Sequence, residues 1–531
     1  MDTIYTNGTI VTMDDTLDAA HPEAVLVKDG IIQAVGSFKQ LSSSSSSYEV
    51  RDLSGHALYP AFIDAHSHYS MVAGGYQQVD LSECTSYAEI QEKIRQFIQK
   101  SSPKPGAFIN GKGYDHNQLK EQKHPTKQLL DAVTGDHPCI IQHKSGHFGV
   151  FNSLALQYFN LDHDVKEDRG EINFETGYVS ESFYIDLMQK QPTASAADMM
   201  AAFAKAQELY ASHGITTMQE GMMVNALKPL YQALLQAKLL KLDLVAYPSC
   251  SDAVQLEQDF SDYRQDYVNH LRLGGRKMFL DGSPQGRTAW MKHPYVKVSA
   301  EDDPNDCSSG TMSDEQVYQS ILGCAKEDLQ ILAHCNGDAA ARQYINCMER
   351  IEQAYPDYGK KHRPVIIHAQ LLDVNDLDEV KQTGMMPSFF VSHVYYWGDV
   401  HIKNFGMDRA KYISPVKSTC SRGIPFTFHC DTPVIDPDML ECVWCAVNRI
   451  TKDGVVLGKA EEGIDVRSAL KAVTINAAYQ YHEEASKGTI APHKRADLVI
   501  LDQDPLQIDP MDLKTIKILE TIKDGSTVYT K

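Results

Sequence analysis

Two histidines one residue apart, His66 and His68, close the apolar run Phe62-Ile63-Asp64-Ala65. Side chains two apart on an extended strand point the same way, so this spacing presents two imidazoles side by side, a ready pair of metal ligands. Taken alone, the pair fits a plain strand end equally well. Further residues of ligand type decide the matter, because Lys277, His334, His368 and Asp431 each fall in or just after a later short apolar run.

The elements that must position these residues are read from the same runs. Residues 215–220, 242–248, 276–280, 330–334, 364–368, 385–392 and 424–429 are short and apolar, and most follow an amphipathic helical stretch; the one at 196–213 stops at Gly214. With the His66 strand they make eight. Repeated β and α units predict an α/β fold, here a TIM-like (β/α)8 barrel, whose sites are built at the C-terminal ends of the strands. An open doubly wound sheet would carry a Gly-rich phosphate loop after its first strand, and none follows His68.

The two ends of the chain read differently. Residues 1–56 predict strands, with Asp29-Gly30 between apolar runs as a hairpin signal and the serine run 42–47 as a flexible loop. Runs at 496–502 and 516–529, the latter with Asp524-Gly525 as a turn, supply the missing strand partners. A small discontinuous β-sandwich of residues 1–56 and 485–531 is therefore expected beside a barrel of residues 57–484. The stretch from about 70 to 193 is too long for a loop and contains its own helix and strand signals, at 87–100 and 139–142. It is expected as an insertion after the first barrel strand, placed to serve as a lid.

Composition narrows the partner. With 50 basic against 70 acidic residues the formal charge is −20, which argues against a nucleic-acid or anionic-membrane partner, since either needs a basic face. The expected partner is a small-molecule substrate, and self-association into a homo-oligomer is left open. The N-terminus shows no basic region followed by an apolar core, no apolar run reaches the ~20 residues of a membrane span, and the 11 cysteines lack the spacing of a disulfide framework; a cytoplasmic location is expected. Cys442 and Cys445 lie in an apolar helical pattern and read as core.

The motifs PAFIDAHSH at 60–68, GKGYDHN at 111–117, SGHFGVFNSLAL at 145–156, RKMFLDGSPQGRTA at 276–289, AHCNGDAA at 333–340, IIHAQ at 366–370, HCDTPVIDP at 429–437 and ADLVILDQDP at 496–505 follow one another in a specific order. Through them the chain resembles the amidohydrolase superfamily of metal-dependent hydrolases, in particular its YtcJ-like branch related to N-substituted formamide deformylases. The resemblance implies a centre with metal ligands His66, His68, Lys277, His334, His368 and Asp431. The expected cofactor is a divalent metal, Zn2+, with two ions in a binuclear metal centre if Lys277 is a carboxylated lysine. An ordinary lysine with a pKa near ~10.4 would be cationic and repelled by metal, whereas its carbamate is an anion able to bridge two ions.

The implied reaction is hydrolysis of a carbon–nitrogen bond other than a peptide bond, amide or N-acyl, by metal-activated hydroxide. Asp431 would be the catalytic general base and then acid. Tyr114, Asp115, His147 and Arg287, in or near family-like motifs, are the substrate-binding candidates; His116 and His143 carry a weaker signal, and His213, at a helix end, reads as structural. Ala61, Ile367 and Cys430 stand where the family usually has Gly, an acid and Ser, which touches no proposed ligand but alters the neighbouring contacts that set substrate class. Two alternatives stay open: a superfamily deaminase with one metal, against which Lys277 speaks, and a catalytically silent metal-binding regulatory protein on the same scaffold.

Overall fold

The computed structural model describes residues 2–167, 170–188, 190–191, 195–264, 266–297 and 303–531. It separates into two compact units, one made of Met1–Ser70 with Gln207–Lys531 and the other of Met71–Ala206. The expected end of the insertion, Thr193, lies outside the described residues. Among the described residues no helix is long and apolar enough to cross a membrane.

Two parallel sheets carry the first unit. One orders Phe62–Ile63, Ile215–Met223, Asp243–Pro248 and Leu271–Leu273; the other orders Gly275–Phe279, Gln330–Cys335, Val365–His368, Met386–Phe389 and Thr427–Phe428. The fourth run is thus longer than its sequence pattern indicates, beginning at Leu271 and interrupted only at Gly274. Across that interruption Ser249 pairs with Lys277, and Cys250 N–H donates to Lys277 O at 2.9 Å. At the outer edges, Asp431 N–H donates to His66 O at 3.2 Å and His68 N–H to Thr432 O at 2.8 Å.

These strands read as continuous apolar runs because both of their faces are covered. Asp243–Pro248, Gln330–Cys335 and Val365–His368 are buried at every residue. Ile63, Val245, Leu332, Val365, Ile367 and Met386 meet in one apolar cluster. His334 stands two residues beyond Leu332 and so continues the same side of its strand past that apolar layer. Helices Asp314–Glu327 and Asp338–Ala354 flank Gln330–Cys335; Ser313 and Gln316 form a capping box that starts the first of them.

The two chain ends meet in a pair of sheets. Ile31–Gly36, Ala24–Lys28, Asp2–Thr6 and Tyr48–Asp52 form one, while Thr9–Ile10, Ala57–Pro60, Leu498–Leu501, Ile518–Lys523 and Ser526–Thr530 form the other. Tyr5, Val25, Val27, Leu58, Leu498 and Ile522 share one core. The hairpin signal is realised: Lys28 pairs with Ile31, and Asp29 and Gly30 take φ of 49° and 75°, the left-handed pair that a two-residue type I′ connection requires. The serine run is half as expected: Ser45–Ser47 join no helix or strand, whereas Ser42–Ser44 are helical. Phe38–Ser44 is a helix capped by the Ser37 hydroxyl, because Leu41 is buried against Ile4, Ala24 and Leu26, and packing overrides the weak helix preference of serine.

The unit Met71–Ala206 has a seven-stranded sheet ordered Val165–Glu167, Gly170–Asn173, Tyr178–Ser180, Phe148–Phe151, Cys139–His143, Ile109–Tyr114 and Gln78–Asp80. The helix Tyr87–Ser101 buries Ile90 and Ile94 in the same cluster as Ile109 and Ile141, while Ile140 and Phe151 belong to a second cluster.

Candidate metal centre

His66 follows the strand Phe62–Ile63, and its ring is fixed from behind. Its Nδ1 lies 2.5 Å from Gln219 Oε1, while Gln219 Nε2 donates to Ala65 O and to Tyr481 OH, each at 2.8 Å. That amide orientation puts the proton of His66 on Nδ1 and leaves Nε2 as a lone pair. His66 Nε2 lies 3.5 Å, and His68 Nε2 3.3 Å, from the same atom, Asp431 Oδ1. On its other side, His68 Nδ1 is 3.8 Å from Glu220 Oε1, and Glu220 is itself held by Ser70 N–H and the Tyr231 hydroxyl.

His334 and His368 meet edge to face with ring centroids 4.5 Å apart, and the His368 ring lies 5.6 Å from that of His66. His334 Nδ1 is 3.0 Å from Asp281 Oδ1, and Asp281 accepts further hydrogen bonds from the backbone N–H groups of Asn336, Gly337 and Trp290. Asp281 is therefore a carboxylate that orients His334 and ties down the following loop. His368 Nδ1 lies 3.1 Å from His429 Nε2, whose other ring nitrogen is 2.8 Å from Ser388 Oγ. His368 and Asp431 both have a left-handed backbone, with φ of 72° and 51°, a conformation that costs non-glycine residues energy and concentrates at functional sites.

The electrostatics follow from burial. Desolvation, aided by Lys277, drives His66 well below its ordinary pKa, and desolvation with His334 does the same to His368, so both rings are neutral. Burial also opposes a charge on His68, but Asp431 and Glu220 outweigh it and raise that imidazole to about 9. Burial opposes ionisation of Asp431, yet His68, His429 and Lys277 hold its carboxyl below the usual range. Lys277 is fully buried with no hydrogen-bond partner for Nζ, and desolvation lowers its amine to about 7 against the pull of Asp431.

The residues present fit a cation. Asp431 Oδ1 is a buried acceptor that receives no hydrogen bond, although two imidazole nitrogens stand within 3.5 Å of it. Ligand atoms of His66, His368 and Asp431 all lie within 4.8 Å of one another. Neutral imidazoles and a carboxylate converging on one point are the donor set of zinc and its neighbours.

Of the residues expected to hold substrate, each has a local partner. Arg287 donates to Val296 O at 3.0 Å, with Asp306 3.7 Å away. Tyr114 is buried with its hydroxyl 3.2 Å from His124 Nδ1; Asp115 pairs with Lys144; the exposed His147 lies 3.4 Å from Glu181. Gln219, Glu220 and His429 are functional neighbours that the sequence pattern did not single out. His429 alone left a trace, as the residue two before Asp431.

A model of the amidohydrolase family matches residues 49–529. The chain belongs to the amidohydrolase family. Among its relatives are YtcJ of Bacillus subtilis (strain 168), 28% identical over the whole of both chains, and the N-substituted formamide deformylase of Arthrobacter pascens, 25% identical over 100% of this chain and 98% of that one. A metal-dependent hydrolase from Pyrococcus horikoshii superposes with a TM-score of 0.76 over 96% of this amidohydrolase and 99% of its own chain, at 24% identity, and shares the fold. Family and donor set agree on metal dependence.

Proposed function

We propose that this amidohydrolase cleaves an amide or N-acyl C–N bond in a small molecule, within a closed (β/α)8 barrel formed by the two parallel sheets. The paired sheets of the chain ends make a discontinuous β-sandwich beside it, and Met71–Ala206 is the insertion after the first barrel strand. The observation that carries the hydrolytic reading is the buried Asp431 Oδ1, without a donor and flanked by the His66 and His68 nitrogens, in the electrostatic reach of an unpartnered lysine.

His66, His68, Lys277, His334, His368 and Asp431 would hold the metal, and a divalent ion there supplies Lewis acidity, acidifying water and polarising a carbonyl. Asp431, kept ionised by its cationic and imidazole neighbours, takes the proton of the attacking water and returns it to the departing nitrogen. Gln219, Asp281 and His429 hold the tautomers of His66, His334 and His368.

Lys277 favours two ions over one. Its amine, lowered to about 7, is uncharged in about half of the molecules at neutral pH, and an uncharged amine adds to carbon dioxide, forming an N–C bond and releasing a proton, to give an anionic carbamate that would hold two ions. The single-metal deaminase reading has no use for such a lysine. The deformylase relative makes N-substituted formamides the first substrates to offer. The test is a screen of N-substituted formamides, N-acyl amino acids, cyclic amides and esters on metal-replete protein, reading free amine or acid. Chelator-sensitive turnover of an amide is the expected result, and turnover indifferent to chelation overturns the proposal.

A further inference from the structure

A second group of ligand-type side chains lies in the unit Met71–Ala206. The strand Ile109–Tyr114 runs parallel to Cys139–His143, and the register shifts so that Gln142 stands opposite Lys112 but His143 opposite Tyr114. Gly113 absorbs the extra residue with φ of 91°, open to glycine and strained for other residues. Past this bulge, Asp115 and His116 come onto the His143 ring.

His116 Nδ1 lies 3.3 Å from His143 Nε2, and Asp115 Oδ1 lies 3.5 Å from His143 Nε2 and 3.9 Å from His116 Nδ1. Three atoms so spaced share a point ~2.1 Å from each, the bond length of zinc to imidazole nitrogen and carboxylate oxygen. A single N–H entering this triangle would serve two acceptors poorly. A cation serves all three.

Phe148 stacks on the His143 ring at 4.2 Å and fixes its plane. Ser145 N–H donates to His143 Nδ1 at 3.1 Å, which puts the proton of the neutral metal-free ring on Nε2, and Ser145 Oγ, 3.0 Å from the same Nδ1, is the acceptor in reach when an ion displaces that proton. Lys144 engages Asp115 Oδ2, while Oδ1 accepts from Asn117 N–H at 3.0 Å and from Asn117 Nδ2 at 3.2 Å, bonds that fix the carboxylate with Oδ1 beside the two imidazoles. The His116 side chain is 27% exposed and gives a path for entry.

We propose that Asp115, His116 and His143 hold a divalent transition-metal ion of the zinc class, at a site sharing no residue with the centre of His66, His368 and Asp431. Two imidazoles with one carboxylate favour zinc over magnesium or calcium, and three protein ligands leave a fourth position for water. The ion clamps the Asp115-His116 turn to the end of Cys139–His143, so its binding energy adds to the stability of this unit. Asp115 thereby serves as a ligand in place of a substrate contact.

The experiment uses the full chain, stripped with chelator, reloaded with Zn2+ alone and counted by mass spectrometry after free metal is removed. In a His66→Ala/His368→Ala background, which disables the other centre, one zinc is expected to remain, to raise the melting temperature, and to vanish with His116→Gln/His143→Gln. A background chain that binds no zinc at micromolar free metal, or one that keeps its zinc after both glutamine substitutions, overturns the proposal. Should the background variant fail to fold, the otherwise unaltered chain decides: His116→Gln/His143→Gln must carry one zinc fewer, and equal counts overturn the proposal.

Discussion

His429 bridges His368 and Ser388: its Nε2 lies 3.1 Å from His368 Nδ1 and its Nδ1 2.8 Å from Ser388 Oγ. Two hydrogen bonds in series fix the tautomer and the plane of His368 without His429 being a ligand. His429→Ala is expected to weaken metal affinity 10–100-fold, the usual cost of removing a partner behind a ligating histidine, measured by competition with a chromophoric chelator. Unchanged affinity would remove His429 from this role.

Asp431→Asn keeps the shape of the side chain and removes its capacity to accept a proton. Turnover on any amide substrate is expected to fall ~10²–10⁴-fold, the contribution of a positioned general base. Near-normal turnover would place proton transfer elsewhere.

Metal uptake should expel a proton. His68 in the metal-free protein is raised to about 9 by Asp431 and Glu220 against burial, so it is protonated at pH 7.5, whereas a ligand must be neutral. Affinity should therefore rise with pH up to about 9 and level off above it. Calorimetry in buffers of differing ionisation enthalpy reads the proton directly, and uptake at pH 7.5 with no proton released contradicts the assignment.

Asp243 is fully buried and pairs with Lys487 at 2.6 Å and Lys523 at 3.0 Å. Burial opposes its charge, but the two lysines hold its carboxyl well below the ordinary value, so its stabilisation is present above ~3.9 and is lost as pH falls through the folded-state value. Asp243→Asn leaves two buried ammonium groups short of a partner and is expected to cost ~3–5 kcal/mol, read from the urea midpoint. A shift below ~1 kcal/mol would show the pair to be replaceable.

The sequence made His66, His68, His334, His368 and Asp431 visible because each sits at the end of an apolar run, and strand ends are where barrel chemistry gathers. The Asp29-Gly30 hairpin was legible because the turn type dictates its residues. Gln219 and Glu220 were not, since their partners His66 and His68 lie far away along the chain and the pairing depends on sheet register. Asp281 was not legible as the partner of His334, because the two are far apart along the chain and only the folded loop brings them together. The serine helix escaped because one residue, Leu41, supplies the packing that makes it fold.

The strand Ala57–Pro60 runs into His66, yet its neighbour in the sheet is Leu498–Leu501, with Leu498 opposite Pro60. A ribosome delivers the N-terminal residues first. The strand that leads toward the two histidines therefore emerges with one edge bare and waits for nearly the entire polypeptide to be made before that edge is covered. Nascent chains interrupted short of Leu498 would leave that edge of Ala57–Pro60 open to association with other chains.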